Sequence, residues 1–256
     1  MIQFCRYLPV LKAKGAAHVA LICHPPLKPL FATLDSVDEI IGFDEPLPAT
    51  HYDFWTAPLS LPYHCATRLG TIPATLPYLQ ADPERIARWQ PLLPPGGLRV
   101  GLVWKGSRGF ENDPDRSLPS LDVLAPLGEV PGVRFVSLQK GAGEDEAAQP
   151  PRELPLVDLG SRLADFADTA AVVAGLDLVI SVDTAVAHLA GALAKPCWLL
   201  LPDYKADWRW LADRGDSPWY PGVMRLFRQA RAGDWSSVVT QLRDSLASLS
   251  AVSARR

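Results

Sequence analysis

From Leu98 onward, short apolar runs alternate with helical segments, and this alternation limits the possible fold more than any other feature of the chain. The runs at 98–104, 133–138, 154–159, 178–182 and 197–201 are apolar nearly throughout, without the strict in/out alternation of a half-exposed strand. Continuous runs of this kind are buried on both faces, as in a parallel sheet wrapped by helices. Between them, 118–127, 161–174 and 184–194 read as helices, the second capped by Ser161 and stopped by Gly175. The pattern predicts an α/β, Rossmann-like unit.

The tract from Gln90 to Gly97 holds three prolines and two glycines, which suit neither helix nor strand, so it marks a boundary. The expected organisation is an N-terminal unit (1–90), a linker (91–97), a second unit (98–234), and a C-terminal helix and tail (235–256). The tail begins with an apolar stripe at Trp235, Val238, Val239, Leu242, Leu246 and Leu249, close to a 3.6-residue period. This helix is expected to pack back across the linker toward the first unit. In the first unit, 2–14 has helical spacing at Phe4, Leu8 and Leu11, with a kink expected at Pro9. A strand at 18–23, a short helix at 26–34 and a second strand at 37–42 follow. The helix therefore comes first, where a βαβ unit normally begins with a strand.

Composition narrows the class. Of 256 residues, 48% are hydrophobic and 21% charged, enough to bury a core. Twenty-five Lys and Arg face 28 Asp and Glu, a net charge of −3 that gives no field for nucleic acid or anionic membrane. Cys5, Cys23, Cys65 and Cys197 are far apart and form no CxxC pair, which reads as reduced thiols of a cytoplasmic protein. No apolar run reaches the ~18 residues of a membrane span, and the first residues lack a signal peptide's pattern. No metal-ligand spacing links the histidines.

The most informative segment runs from Asp177 to Ala190. A buried strand ends at Val182, and Asp183 and Thr184 then open a helix of small residues, with His188 one turn in. A helix N-terminus at the C-terminal end of a parallel strand presents unpaired N–H groups and partial positive charge, a seat for phosphate. A simpler reading makes Asp183 or Thr184 a cap and His188 a structural histidine. Trp104-Lys105-Gly106-Ser107 follows the first strand of this unit in an equivalent position, and Asp115-Arg116-Ser117 and Gln139-Lys140-Gly141 lie near other strand ends. Each of these could equally be solvated loop charge. The aromatic tract from Trp208 to Tyr220 could stack a base, or could simply be core beneath a loop.

Three of these segments together, namely 101–107, Ser137-Leu138-Gln139-Lys140-Gly141, and Ser181-Val182-Asp183-Thr184 with His188-Leu189-Ala190, resemble heptosyltransferase-type glycosyltransferases of family 9. The resemblance is closest to bacterial members associated with tetratricopeptide repeats, and it covers nearly the whole chain. It implies a GT-B-like fold, two Rossmann-like domains with parallel sheets facing across a cleft. The implied reaction transfers a hexosyl or heptosyl group from a nucleotide-sugar donor to an acceptor hydroxyl on a protein or glycan. The reaction would be inverting and metal-independent, with no cofactor. Asp183, Thr184 and the following N–H groups would meet the donor phosphates, with His188 beside them. Lys105 or Arg116 would neutralise the leaving group's charge in place of a metal, Ser107 would join the donor-binding set, and Gln139 and Lys140 would lie toward the nucleotide.

In such transferases a strand and a Gly-Asp turn precede the helix that here begins at Met1, and the aspartate is the general base. The resemblance therefore implies a chain truncated before its catalytic base, with a first domain lacking its opening strand. Such a domain should be loosened or repaired by self-association, and the chain should be a poor enzyme. The alternatives are a nucleotide-sugar-binding remnant without turnover and, more remotely, an epimerase of the same fold using His51 and Asp53.

Overall fold

The computed structural model describes residues 1–49 and 51–253; the last three residues of the expected tail, 254–256, lie outside them. In chain order, the N-terminal part contains α1 (Leu8–Ala13), β1 (Ala20–Cys23), α2 (Lys28–Phe31), β2 (Glu39–Gly42), α3 (Leu61–His64) and α4 (Pro83–Trp89). The remainder contains β3 (Leu98–Val103), α5 (Asp113–Arg116), β4 (Val133–Ser137), α6 (Glu144–Ala148), β5 (Leu156–Asp158) and α7 (Phe166–Ala174). It continues with β6 (Leu178–Val182), α8 (Ala185–Ala192), β7 (Cys197–Leu201), β8 (Met224–Arg228) and α9 (Trp235–Ser253).

The larger sheet has the order β5-β4-β3-β6-β7-β8, with every pair parallel. β6 and β7 are buried at all five positions each, as their unbroken apolar sequence requires. Successive side chains go to opposite faces. Leu178, Ile180, Val182, Trp198 and Leu200 join one core cluster, while Val179, Leu199 and Leu201 join another. β8 has no counterpart in the sequence reading. Its Arg225 and Arg228 interrupt the apolar run, which is tolerable because it pairs on one side only, at the sheet edge.

The smaller sheet holds β1 and β2 among the described residues, in parallel register from Ala20↔Glu39 to Cys23↔Gly42. The segment Ile2–Tyr7 is a 3₁₀ turn, and all six of its residues are buried. It leads into α1 without the expected kink, because Pro9 falls in the first turn of α1, where its missing N–H has no intrahelical partner to lose. Ile2, Cys5 and Leu8 pack with Ala167, Ala170, Leu189 and Ala192 of α7 and α8. Phe4 and Tyr7 join the cluster that lines one face of the large sheet. Residues from both sides of 91–97 thus share core.

Four other expectations are corrected. The helix expected from Ser161 begins at Phe166. Its N-cap is Asp165, whose carboxylate accepts from Asp168 N at 2.9 Å, while Ser161 lies in a separate 3₁₀ turn. The expected α-helix at 118–127 is a 3₁₀ segment, Leu121–Glu129, with Pro126 inside it. Gln90–Leu92, within the tract read as unable to form helix, is a 3₁₀ turn continuing α4. The helix at the C-terminus forms, but α9 does not reach back over the linker. Its stripe of Trp235, Val238, Val239, Leu242 and Leu246 covers the β3–β6 face together with Leu121, Leu124 and Leu127. Ser250 Oγ donates to Pro131 O at 2.7 Å at the far end. The sheet face beneath α9 has no other helical cover of that length, so burial holds the helix on its own unit.

One polar hub ties the chain before the linker to α7. Asp168 is buried, and its Oδ1 accepts from Arg85 Nη1 at 2.8 Å, from Trp89 Nε1 at 3.1 Å and from Arg88 Nη2. Burial would raise this carboxyl's pKa, but the Trp89, Ala164 N and Arg85 hydrogen bonds prevail and hold it below the ordinary 3.8. With the folded-state pKa depressed, the stabilisation is fully present above 3.8 and is lost as pH falls below it. Asp168→Ala should lower the unfolding free energy by about 2–4 kcal/mol at neutral pH, the range of charged hydrogen bonds and broken buried pairs. Urea titrations at pH 7 and at pH 3 should show the difference between wild type and variant shrinking in acid.

Candidate functional site

β6 delivers its last buried residue, Val182, to the C-terminal edge of the sheet, where the chain turns through Asp183 and Thr184 into α8. Ser181 Oγ donates to Val182 O at 2.7 Å, so in its 3.0 Å contact with Thr184 Oγ1 the threonine is the donor. The Thr184 hydroxyl therefore points inward and gives α8 no side-chain cap. The first turn of α8 is left with backbone N–H groups at a cleft of about 1240 Å³.

All eight residues expected at a donor site line this cleft: Lys105, Ser107, Arg116, Gln139, Lys140, Asp183, Thr184 and His188. Met1, Gln3, Phe4 and His24 form part of the opposite wall. His51 and Asp53 are exposed and lie outside it, which removes them as partners in an epimerase.

The eight do not have equal roles. Arg116 is the best-placed cation. Its Nη1 donates to Asp183 O at 2.8 Å, its Nε to Asp113 Oδ1 at 3.2 Å, and its guanidinium lies 4.2 Å from the centre of the Phe110 ring. Gly106 makes room for it, since a Cβ there would sit 2.5 Å from Arg116 Nη2. Lys105 differs from expectation. Its Nζ is paired with Glu146 Oε1 at 2.6 Å and donates to Pro119 O at 3.0 Å, so its charge is already neutralised within the protein. Gln139 is a clamp rather than a nucleotide contact. Its Oε1 accepts from Trp104 N and Lys105 N at 2.9 and 3.0 Å, and its Nε2 donates to Lys105 O and Ala142 O at 3.0 and 2.7 Å. With both amide ends engaged, it holds the loop after β3 against the loop after β4. Lys140 is exposed and donates to Ser161 O at 3.1 Å; Ser107 lines the cleft from the β3 loop.

Asp183 also departs from the expected phosphate contact. Its Oδ2 accepts from Trp210 Nε1 at 2.8 Å, so that oxygen is engaged within the protein. Burial raises its pKa above the ordinary 3.8. What Asp183 positions is Trp210, through its side chain, and Arg116, through its carbonyl. The His188 ring stacks on Trp210 at 5.3 Å between centroids with 17° between planes, and its Nδ1 lies 2.9 Å from the Tyr220 hydroxyl. Burial, with Arg209 and Arg6 nearby, lowers the His188 pKa well below 6.5, so it is a neutral imidazole at pH 7.

The aromatic tract divides as its composition could not foretell. Trp210, Trp219 and Tyr220 are buried core, whereas Trp208 is 65% exposed. The sequence reading missed Arg209, which lines the cleft between Asp207 and Gln3, donating to Gln3 Oε1 at 2.9 Å. No local signal marks it, because its partner lies at the other end of the chain.

Residues 131–199 match the family model of glycosyltransferase family 9 (heptosyltransferase). The matched stretch carries β4 to β6, the Asp183-Thr184 turn, α8 and the first residues of β7. Protein FlbA of Caulobacter vibrioides is 33% identical over a 210-residue alignment that covers 77% of this chain. The chain spans about a third of FlbA's length (34%). Among solved structures, E. coli ADP-heptose LPS heptosyltransferase II superposes with a TM-score of 0.66 at 13% identity, covering 99% of this chain and 96% of that one. A family 9 glycosyl transferase from Veillonella parvula gives 0.59 at 12% identity over 89% and 82% of the two chains. E. coli heptosyltransferase WaaC with ADP gives 0.56 at 15% identity over 96% and 97%. The chain has the α/β fold of the heptosyltransferases, with its parallel sheets arranged as in GT-B structures.

The clamp and the surface lysine should separate in measurement. Gln139→Ala strands the Trp104 and Lys105 N–H groups and should cost about 1–3 kcal/mol of unfolding free energy. Lys140→Ala should stay within ~0.5 kcal/mol. Denaturant unfolding of the two variants beside wild type gives both values.

Proposed function

We propose that this chain is the catalytic region of a glycosyltransferase that moves a sugar from a nucleotide-sugar to an acceptor hydroxyl on a protein or glycan. The transfer is metal-independent and inverts the anomeric centre. One observation carries the reading: the uncapped start of α8 opens on the cleft with the Arg116 guanidinium fixed beside it by the Asp183 carbonyl. Departure of a nucleotide leaves negative charge on phosphate oxygens. Aligned N–H groups and a preorganised guanidinium stabilise that charge without reorganisation at the moment of reaction. The segment match to family 9 and the fold of a relative solved with ADP support a nucleotide diphosphate as the leaving group. A cytoplasmic setting accords with four free cysteines, three of them buried.

A binding-only reading keeps one observation on its side. Of the three carboxylates that line the cleft, Asp183 and Asp207 are held by Trp210 and by Arg209, and Asp145 lies exposed on α6. Turnover separates the two readings.

Arg116→Ala should weaken binding of a nucleoside diphosphate roughly 10- to 100-fold, the equivalent of one charged hydrogen bond. Ala185→Trp, at an exposed position in the first turn of α8 that lines the cleft, should abolish binding by filling it, while the melting temperature stays within a few degrees. Calorimetric titration with ADP, GDP and UDP reads both. Unchanged affinity in both variants would refute the donor site. Nucleotide release from a nucleotide-sugar in the presence of acceptor would establish transfer, and binding without release would favour the second reading.

A further inference from the structure

Arg209 reaches the cleft from the chain between β7 and β8, and its half-buried guanidinium is held from three sides. Nε and Nη2 donate to Asp207 Oδ1 and Oδ2, each at 2.7 Å, and Nη1 donates to Gln3 Oε1 at 2.9 Å. The guanidinium carbon lies 5.7 Å from the centre of the Phe4 ring. A guanidinium carries five N–H groups, so one on Nη1 and one on Nη2 have no acceptor among the described residues. Gln3 shows the same imbalance. It lines the cleft at 2% exposure, its Oε1 is taken by Arg209, and its Nε2 has no partner among the described residues. A buried amide donor left unpaired is costly, and an apolar side chain of the same length would fill the space without that cost. This corner of the cleft therefore holds more donors than the protein uses.

We propose that Arg209, with Gln3 as its positioning residue, binds hydroxyl oxygens of the transferred sugar and so selects the donor. The assignment rests on the donor-site reading above. Charge points to a neutral ligand at this place. Asp207 takes up the positive charge of Arg209, so the spare N–H groups offer directed hydrogen bonds without a net field for a further phosphate. Hydroxyl oxygens, each with two lone pairs, are acceptors of that kind.

The order of the strands puts the sugar on this side. Along the C-terminal edge of the large sheet, Gln139 and Lys140 follow β4, Arg116 follows β3, the start of α8 follows β6, and Arg209 lies beyond β7. The phosphate seat is thus flanked by the Gln139 loop on one side and Arg209 on the other. Trp210, next in the chain to Arg209, is anchored to that seat by its 2.8 Å bond to Asp183 Oδ2 and by stacking on His188. A diphosphate held at α8 extends one ester arm to each side. The arm at Arg209 lies against Gln3 and Phe4 of the opposite wall, where an acceptor entering between the walls meets it. That arm is the sugar.

Calorimetric titration of wild type, Arg209→Lys and Gln3→Met tests the assignment, using ADP, GDP and UDP beside ADP-heptose, GDP-mannose and UDP-N-acetylglucosamine. Arg209→Lys keeps the charge beside Asp207 and loses the fork. Affinity for the nucleotide sugar that wild type binds should fall about 10-fold, the equivalent of one charged hydrogen bond, while that for its nucleoside diphosphate changes less than about 2-fold. Gln3→Met keeps the buried volume and releases Arg209 Nη1. It should weaken the nucleotide sugar roughly 3-fold, spare the nucleoside diphosphate, and leave the melting temperature within a few degrees. A purely structural role would not separate the two ligand classes. Equal losses for both classes, or an unchanged nucleotide-sugar affinity in both variants, would overturn the sugar contact and leave the donor site standing. A wild type that binds a nucleoside diphosphate and none of the three sugar esters would do the same. No binding of any of the six by wild type would overturn the donor site, and the sugar contact with it.

Discussion

The hydrogen bond from Thr184 to Ser181 governs the site. A threonine at a helix N-cap ordinarily turns its oxygen back onto the N–H groups of the first turn. Here the hydroxyl is directed instead to the end of β6, and Ser181 donates its own hydrogen bond to the Val182 carbonyl. The start of α8 thus lacks a side-chain cap although it is fixed in place by a strand buried along its whole length. An uncapped helix end on a rigid sheet combines exposed donors with a fixed position, which anion binding needs.

The charged side chains around that helix end are held in pairs within the protein. Lys105 is neutralised by Glu146, and Arg209 by Asp207, while Arg116 faces Asp113 on one side and a main-chain carbonyl on the other. Burial raises the pKa of Asp183 and lowers that of His188, which favours their uncharged forms. In a half-buried cleft, such control of ionisation matters more than the number of basic residues, because an unpaired charge there is costly to desolvate.

The N-terminal segment is structurally part of the same unit. Ile2–Tyr7 fills the space between α7, α8 and the loop carrying Trp219, and the apolar side chains of α1 and α2 continue that packing. Small residues on the facing helices, Ala167, Ala170 and Ala192, let these backbones approach. The two-stranded sheet beyond it is left with partly open positions, Ile22 keeping 38% exposure.

The strands β3, β4, β6 and β7 and the helix α8 were legible from sequence because each is a local apolar run bounded by a helix or turn signal. The Asp183-Thr184 turn was legible as a helix start at a strand end for the same reason, strand and helix meeting within a few residues. Local signals failed where the partner is remote in sequence. Lys105 looked like a free cation until Glu146 was brought to it. Gln139 looked like a ligand contact until four backbone groups of two loops closed on it, and α9 looked free to cross the linker until an uncovered sheet face claimed its apolar stripe. β8 was missed because an edge strand tolerates charges that break the apolar pattern. The sequence by itself determined which loops of the large sheet border the cleft, since chain direction through parallel strands places their C-terminal loops on one edge. Which of their residues keeps a free hydrogen-bond donor or charge was decided only by tertiary structure, because that depends on long-range partners that compete for the same polar atoms.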